Sequence, residues 1–270
     1  MIEVKIVLDS ISPKGIRITT FELKYPRFIL AEFNTHRVFS RNSASSRAIP
    51  VKKMINDVID DPVIPVYWGK NQSGMQAREE LSGYKLPLSK FLWRVARYPA
   101  CVFAYILNKI GLHKQIANRI IEPWMWTKTI VTATEWDNFF ELRVHEDAQP
   151  EIYDLSLKMQ ECISKLEPEL VGYDEWHLPY VTKEEKDEYD INTLIKVSSA
   201  RCARVSYLTH DGKKPDIEKD LKLYENLVGA IPIHGSPTEH QATPNKNTKF
   251  DKNFKGWHQH RADIEQFFNK

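Results

Sequence analysis

The sequence predicts an α+β protein. Residues 1–33 read as extended, helical spacings dominate residues 75–119 and 151–166, and a second β-rich stretch opens at Thr129 between them. With 270 residues, 42% of them hydrophobic, the chain can bury a substantial core as one large domain or two small ones.

Ile2, Val4, Ile6 and Leu8 alternate as in a half-buried strand, Ser12-Pro13-Lys14-Gly15 is turn chemistry, and Ile16 to Leu23 supplies β-branched and aromatic residues for a second strand. Phe28 to Phe33 is a short helix or strand end, and Val51 to Ile59 is a helix stopped by Asp60-Asp61-Pro62. Pro62, Pro65, Gly69 and Gly74 make residues 62–75 a long loop, a feature often tied to function. From Met75 to Arg119 apolar residues recur at three and four, with a turn at Gly111 and Arg119 near the end of the last helix, before Pro123. Thr129 to Arg143 passes from strand to amphipathic helix. Glu151 to Leu166 is a helix with Ile152, Leu155, Met159 and Cys162 on one stripe. Lys183 to Glu188 reads as a solvated, charge-dense connector, and Ile217 to Leu227 as a helix with Leu221, Tyr224 and Leu227 inward.

Charge narrows the function classes. Lys and Arg number 38 against 36 Asp and Glu, so no global field points to a nucleic-acid polymer or a membrane as partner, and anion binding must be local. The N-terminus lacks signal-peptide flanks, and the longest apolar stretch, Pro99 to Leu107, is too short to span a bilayer. The expectation is a cytoplasmic protein. Cys101, Cys162 and Cys202, odd in number and far apart, fit reduced thiols.

The densest polar stretch is Asn34 to Arg47, which gathers Arg37, Arg41, Arg47, His36 and five hydroxyls behind the apolar anchor Phe28-Ile29-Leu30-Ala31. Guanidinium groups fork two donors onto a phosphate, and hydroxyls fix its orientation. His258-x-His260, with His234 and Glu239-His240, matches no strong zinc spacing, so no metal is expected. There is no Gly-x-Ser-x-Gly elbow and no glycine-rich phosphate loop, so a nucleotide would be held by side chains.

His36-Arg37, seven residues and then Ser45 and Arg47 resemble the Arg-His-Arg-x7-Ser signature of the flavin-dependent thymidylate synthase family. Asn138-Phe139-Phe140-Glu141-Leu142-Arg143 with Ala148-Gln149-x-Glu151-Ile152 is similar to a second segment of that family. Ala203-Arg204-Val205-Ser206 with His234-Gly235-Ser236-Pro237-Thr238-Glu239-His240 is similar to a third. The third normally opens the fold and here follows the others, which implies a circular permutation. The resemblance then implies one α+β domain over 1–270, with an antiparallel sheet flanked by helices, assembled as a homotetramer with shared sites. It also demands that segment 16–33 lie beside the segment after His240 in one sheet, and that 34–47 and 234–240 border one cleft.

The function implied is transfer of a one-carbon unit from methylenetetrahydrofolate to C5 of dUMP, giving dTMP, with NADPH reducing FAD. Carried over residue by residue, His36, Arg37, Asn138, Ser206, His234 and Ser236 fall where the family holds FAD. Ser45, Ser46, Arg47, Arg119 and Arg143 fall where it holds dUMP. Arg143 would stabilise charge developing on the pyrimidine, an effect worth about 3 kcal/mol. Ser45 is assigned to binding ahead of nucleophilic attack, since no base stands beside it in sequence. The chain departs from the family at Thr35 and Ser43, where Arg and Glu are usual, at Glu32, where Gln is usual, and at Thr132 and Thr134, usually Asn and Arg. These departures leave open a hydroxymethylase or synthase on another deoxypyrimidine monophosphate, or a non-catalytic nucleotide-binding relative.

Overall fold

The computed structural model describes residues 1–205 and 216–268. The N-terminal alternation becomes β1 (Glu3–Ile11) and β2 (Arg17–Pro26), paired antiparallel from Glu3↔Lys24 to Ile11↔Arg17. Gly15, at φ +77°, makes the reversal that a side chain would resist. A 3₁₀ turn, Arg27–Ile29, leads into α1 (Leu30–Phe33), and the polar cluster runs on into β3 (Ser40–Ser43) and α2 (Val51–Asp60).

The helical block begins later than the sequence periodicity suggests, at α3 (Lys85–Lys109). Residues 75–84 are not helical: Gly74 and Gly83 take positive φ, and the backbone is satisfied across an excursion, Lys70 N donating to Glu79 O at 2.7 Å and Leu81 N to Trp68 O at 2.9 Å. Then come α4 (Lys114–Ala117), a 3₁₀ turn Asn118–Trp124, β4 (Trp126–Ala133), α5 (Asp137–Arg143), α6 (Pro150–Ser164) and β5 (Glu169–Leu170). The chain continues through α7 (Lys183–Glu188), α8 (Ile191–Arg204), α9 (Ile217–Val228), β6 (Ala242–Pro244), β7 (Phe250–Asp251), β8 (Phe254–Lys255), β9 (Trp257–Gln259) and α10 (His260–Phe268).

The main sheet has the order β3-β4-β2-β1-β5; its first four strands are antiparallel, and β5 joins the edge in parallel. Period-two alternation sorts its faces. Phe21, Leu23, Tyr25, Val131 and Ala133 pack on Phe139, Phe140, Ile152, Leu155 and Met159 of α5 and α6. On the other face Ile130 meets Cys202 of α8 and Val205, while Ile18 meets Ala242, Phe254 and Trp257. Helices thus flank a mainly antiparallel sheet, the α+β arrangement the sequence predicts.

Three expectations need correction. Lys183 to Glu188 is a capped helix rather than a bare connector: Thr182 and Glu185 form a reciprocal capping box, and Glu185 also binds Arg201 at 2.6 Å. In α9 the inward stripe is Asp220, Tyr224 and Val228, with Leu221 and Leu227 only half-buried. Segment 16–33 and the segment after His240 share a core but not a sheet, because β6 pairs with β9 in a separate ribbon. Among the described residues, no helix is long and apolar enough to cross a membrane.

Candidate functional site

Arg27 leaves the end of β2 between two fixed elements. Its Nε donates to Glu122 Oε1 at 3.1 Å, its Nη1 to Ala44 O at 3.3 Å and its Nη2 to Ser46 Oγ at 3.5 Å. The 3₁₀ turn before β4 brings Arg119 to the same carboxylate, Nη1 to Oε1 at 3.7 Å. One carboxylate therefore serves two guanidinium groups, and a net positive pole remains.

A second pole forms where α5 ends against α1. Arg143 Nη1 pairs with Glu32, and Arg143 Nε donates to His36 Nε2 at 3.1 Å. His36 is 8% exposed, stacked on Phe39 with ring centroids 5.5 Å apart and edge-on to Phe139 at 4.8 Å. Burial, and then the guanidiniums of Arg143 and Arg41, push its pKa down to about 4. The ring is thus neutral near pH 7, and accepting from Arg143 through Nε2 places its proton on Nδ1. Arg41 Nη1 donates to the His36 carbonyl at 2.6 Å, holding the same turn from the other side.

Both poles line a single cleft of about 1590 Å³, with Phe28, Tyr67 and Tyr153 among its walls. Arg27, Arg119 and Arg143 supply forked donors for an anion, Phe28 and Tyr67 supply aromatic surface for a planar ring, and Glu32 supplies an acceptor.

Of the residues expected to hold a nucleotide, Arg119 and Arg143 line this cleft, and Ser46 is bonded to Arg27 and Glu122 on its wall. Ser45 and Arg47 flank Ser46 without lining the cleft, and among the described residues no base is bonded to the Ser45 hydroxyl. His36 sits behind Arg143. Arg37, Asn138, His234 and Ser236 are exposed and lie outside the cleft. Ser206 lies outside the described residues.

The two motif segments nevertheless meet: Gln259 Nε2 donates to Ser40 Oγ at 2.9 Å and to Glu239 O at 2.8 Å. Arg27 and Glu122 were missed from the sequence. Their signal was weak, since each stands alone beside a proline. Among the described residues, no cluster of His, Cys, Asp and Glu could hold a metal ion.

The sequence profile of the thymidylate synthase complementing protein family matches residues 16–169. The chain belongs to this family. The resemblance drawn from the Arg/Ser cluster therefore holds for more than half of the sequence. No curated protein matches the chain in sequence. Among solved structures, it is similar to the UMP/dUMP methylase PolB from Streptomyces cacaoi bound with 5-Br dUMP, at 17% identity and a TM-score of 0.51, over 62% of this chain and 91% of that one. The same methylase bound with 5-Br UMP aligns at 16% identity and a TM-score of 0.49, over 62% and 90%. At these identities the first likeness supports the family fold.

Proposed function

We propose that the protein transfers a one-carbon unit from methylenetetrahydrofolate to C5 of dUMP, giving dTMP, with NADPH reducing a bound FAD. The observation that carries this reading is the convergence of Arg27, Arg119 and Arg143 on one aromatic-walled cleft in a chain of this family. The methylase of similar fold acts on UMP and dUMP. Arg27 and Arg119 would take the phosphate, Phe28 would face the pyrimidine ring, and Arg143 would stand at the base edge to stabilise developing negative charge.

The exposed polar set suits the cofactor. Arg37 is solvent-facing and in no ion pair among the described residues, and His234, Ser236 and Asn138 are likewise exposed. An unpaired guanidinium fits a diphosphate. Bound reduced flavin would supply the hydride for C6. Because these residues lie outside the nucleotide cleft, the reading includes a homotetramer in which neighbouring subunits complete each site. It also includes one domain over 1–270, a cytoplasmic location and a permuted chain order; the permutation is supported by the contact of Gln259 with both motif segments.

Glu32 favours a second reading, a hydroxymethylase or synthase acting on another deoxypyrimidine monophosphate, because it brings a carboxylate to the cleft beside Arg143. One assay separates the readings. Protein loaded with FAD and freed of excess should be yellow, and on addition of NADPH, methylenetetrahydrofolate and either dUMP or dCMP should form dTMP from dUMP. Product from dCMP alone would establish the second reading, and colourless protein that takes up no FAD and forms neither product would end both.

A further inference from the structure

The near-neutral balance of the chain conceals a local asymmetry. Between Glu80 and Glu122 there are seven Lys or Arg residues and no Asp or Glu, so the rest of the chain is net acidic. Most of this segment is α3, 25 residues long. One side of the helix packs through Ala100, Cys101 and Ala104 against Met54, Val58 and Ile121. The opposite side carries Phe91, Leu92, Val95, Val102, Phe103 and Ile106, each between 40% and 60% exposed. Their recurrence at three and four makes one continuous apolar stripe.

At about 100° per residue Lys85 and Lys109 fall within this stripe and Arg94 towards its edge, while Lys90 and Arg97 fall on the packed side; among the described residues none of the five is in an ion pair.

We infer that α3 docks the protein onto an anionic phospholipid surface, lying flat with its apolar stripe in the headgroup region. A basic helix with one apolar face and aromatic side chains has the composition of an interfacial element, and no described helix can span the bilayer. Charge decides against the other occupants. A second copy of α3 would oppose Lys85, Arg94 and Lys109 with like charges, and a nucleic acid would leave the apolar stripe wet. Any assembly of the protein must then leave α3 uncovered.

The test is co-sedimentation of the full chain with vesicles of equal parts phosphatidylglycerol and phosphatidylcholine, against vesicles of phosphatidylcholine alone. The protein should pellet with the anionic vesicles and be released by salt. Phe91→Ser and Phe103→Ser should each weaken partitioning by about tenfold, in keeping with the apolar area lost. Arg94→Glu should weaken it by on the order of fivefold per charge unit changed. All three side chains are exposed, so melting temperature and dUMP binding should stay at the parent values. Equal sedimentation with both vesicle types, retention by the phenylalanine variants, or variants that split an oligomer without affecting vesicle binding would each overturn the inference.

Discussion

Arg143 and His36, 107 residues apart, hold one another at the cleft: the guanidinium Nε donates to the imidazole Nε2 at 3.1 Å, while its Nη1 pairs with Glu32. The imidazole must stay neutral to accept this bond, and burial among Phe39 and Phe139 keeps it so. A residue assigned to the flavin from sequence thus also orients the residue assigned to the base.

Arg143→Ala should therefore have two separable effects. Loss of a charged hydrogen bond to the ligand should weaken dUMP by roughly 1.5 to 3 kcal/mol, read by calorimetric titration. The unpartnered His36 should lower the melting temperature as well. Glu32→Gln removes a negative charge and loosens Arg143, so binding of dUMP should tighten by a few-fold. Weaker binding in that variant would show that the carboxylate itself contacts the ligand.

Acid should unfold the protein through its buried histidines. His177 and His240 join Ser10, Thr20 and Thr132 in a buried hydrogen-bond chain, His177 Nε2 to Thr20 Oγ1 at 2.8 Å and His240 Nδ1 to Thr132 Oγ1 at 2.9 Å. Burial pushes both pKa values down to about 3, and that of His36 to about 4. Below the ordinary value of 6.5 the unfolded chain binds protons that the folded chain refuses, so stability falls as pH drops from 6.5 through 4 toward 3. Urea midpoints measured across that window should decline steadily. Replacing His177 with Gln should flatten part of the decline at some cost in stability near neutral pH.

Much of this architecture was legible because it depends on local chemistry. The β1–β2 hairpin follows from alternation and a glycine turn, α6 from its apolar stripe, and the Arg/Ser cluster from density of charge. What escaped depends on contacts far apart in sequence. Arg27 becomes a site residue only when the turn before β4 brings Glu122 to it, 95 residues away. Glu185 looked solvated because α7 is charged all round, and only the placement of Arg201 turns it inward. The non-helical stretch before α3 was hidden because apolar spacing survives there, while Gly74 and Gly83 break the backbone.

Alkali should act through a different histidine. His258 is bonded to Asp263 at 2.8 Å and also to Asp251, tying β9 to α10 and β7. The bond to Asp263, and then that to Asp251, outweigh burial and raise the His258 pKa to about 9. The folded protein therefore holds a proton that the unfolded chain releases above 6.5, and the stabilisation, complete below 6.5, is lost as pH rises toward 9. His258→Gln should be less stable at pH 6 and show a flatter alkaline limb in thermal melts. A limb unchanged in that variant would assign the loss to another group.

The strongest single lesion outside the cleft should be at Asp220. It is 1% exposed and accepts from Arg201 Nε at 2.9 Å and from Arg204 Nη2 at 2.7 Å, locking α9 to α8. Arg201, 3% exposed, keeps Glu185 as a second partner, so the two guanidiniums are balanced only while both carboxylates remain. Asp220→Ala leaves Arg201 with Glu185 alone and takes from Arg204 the carboxylate it bonds, and breaking a buried pair from one side costs about 3 to 5 kcal/mol. Asp220→Asn keeps the shape and one acceptor and should cost less. Because α8 packs on the sheet face away from α5, dUMP affinity of the surviving folded protein should stay at the parent value. Urea unfolding together with dUMP titration checks both halves: a loss of affinity equal to the loss of stability would mean that this network, rather than the Arg143 pole alone, shapes the cleft.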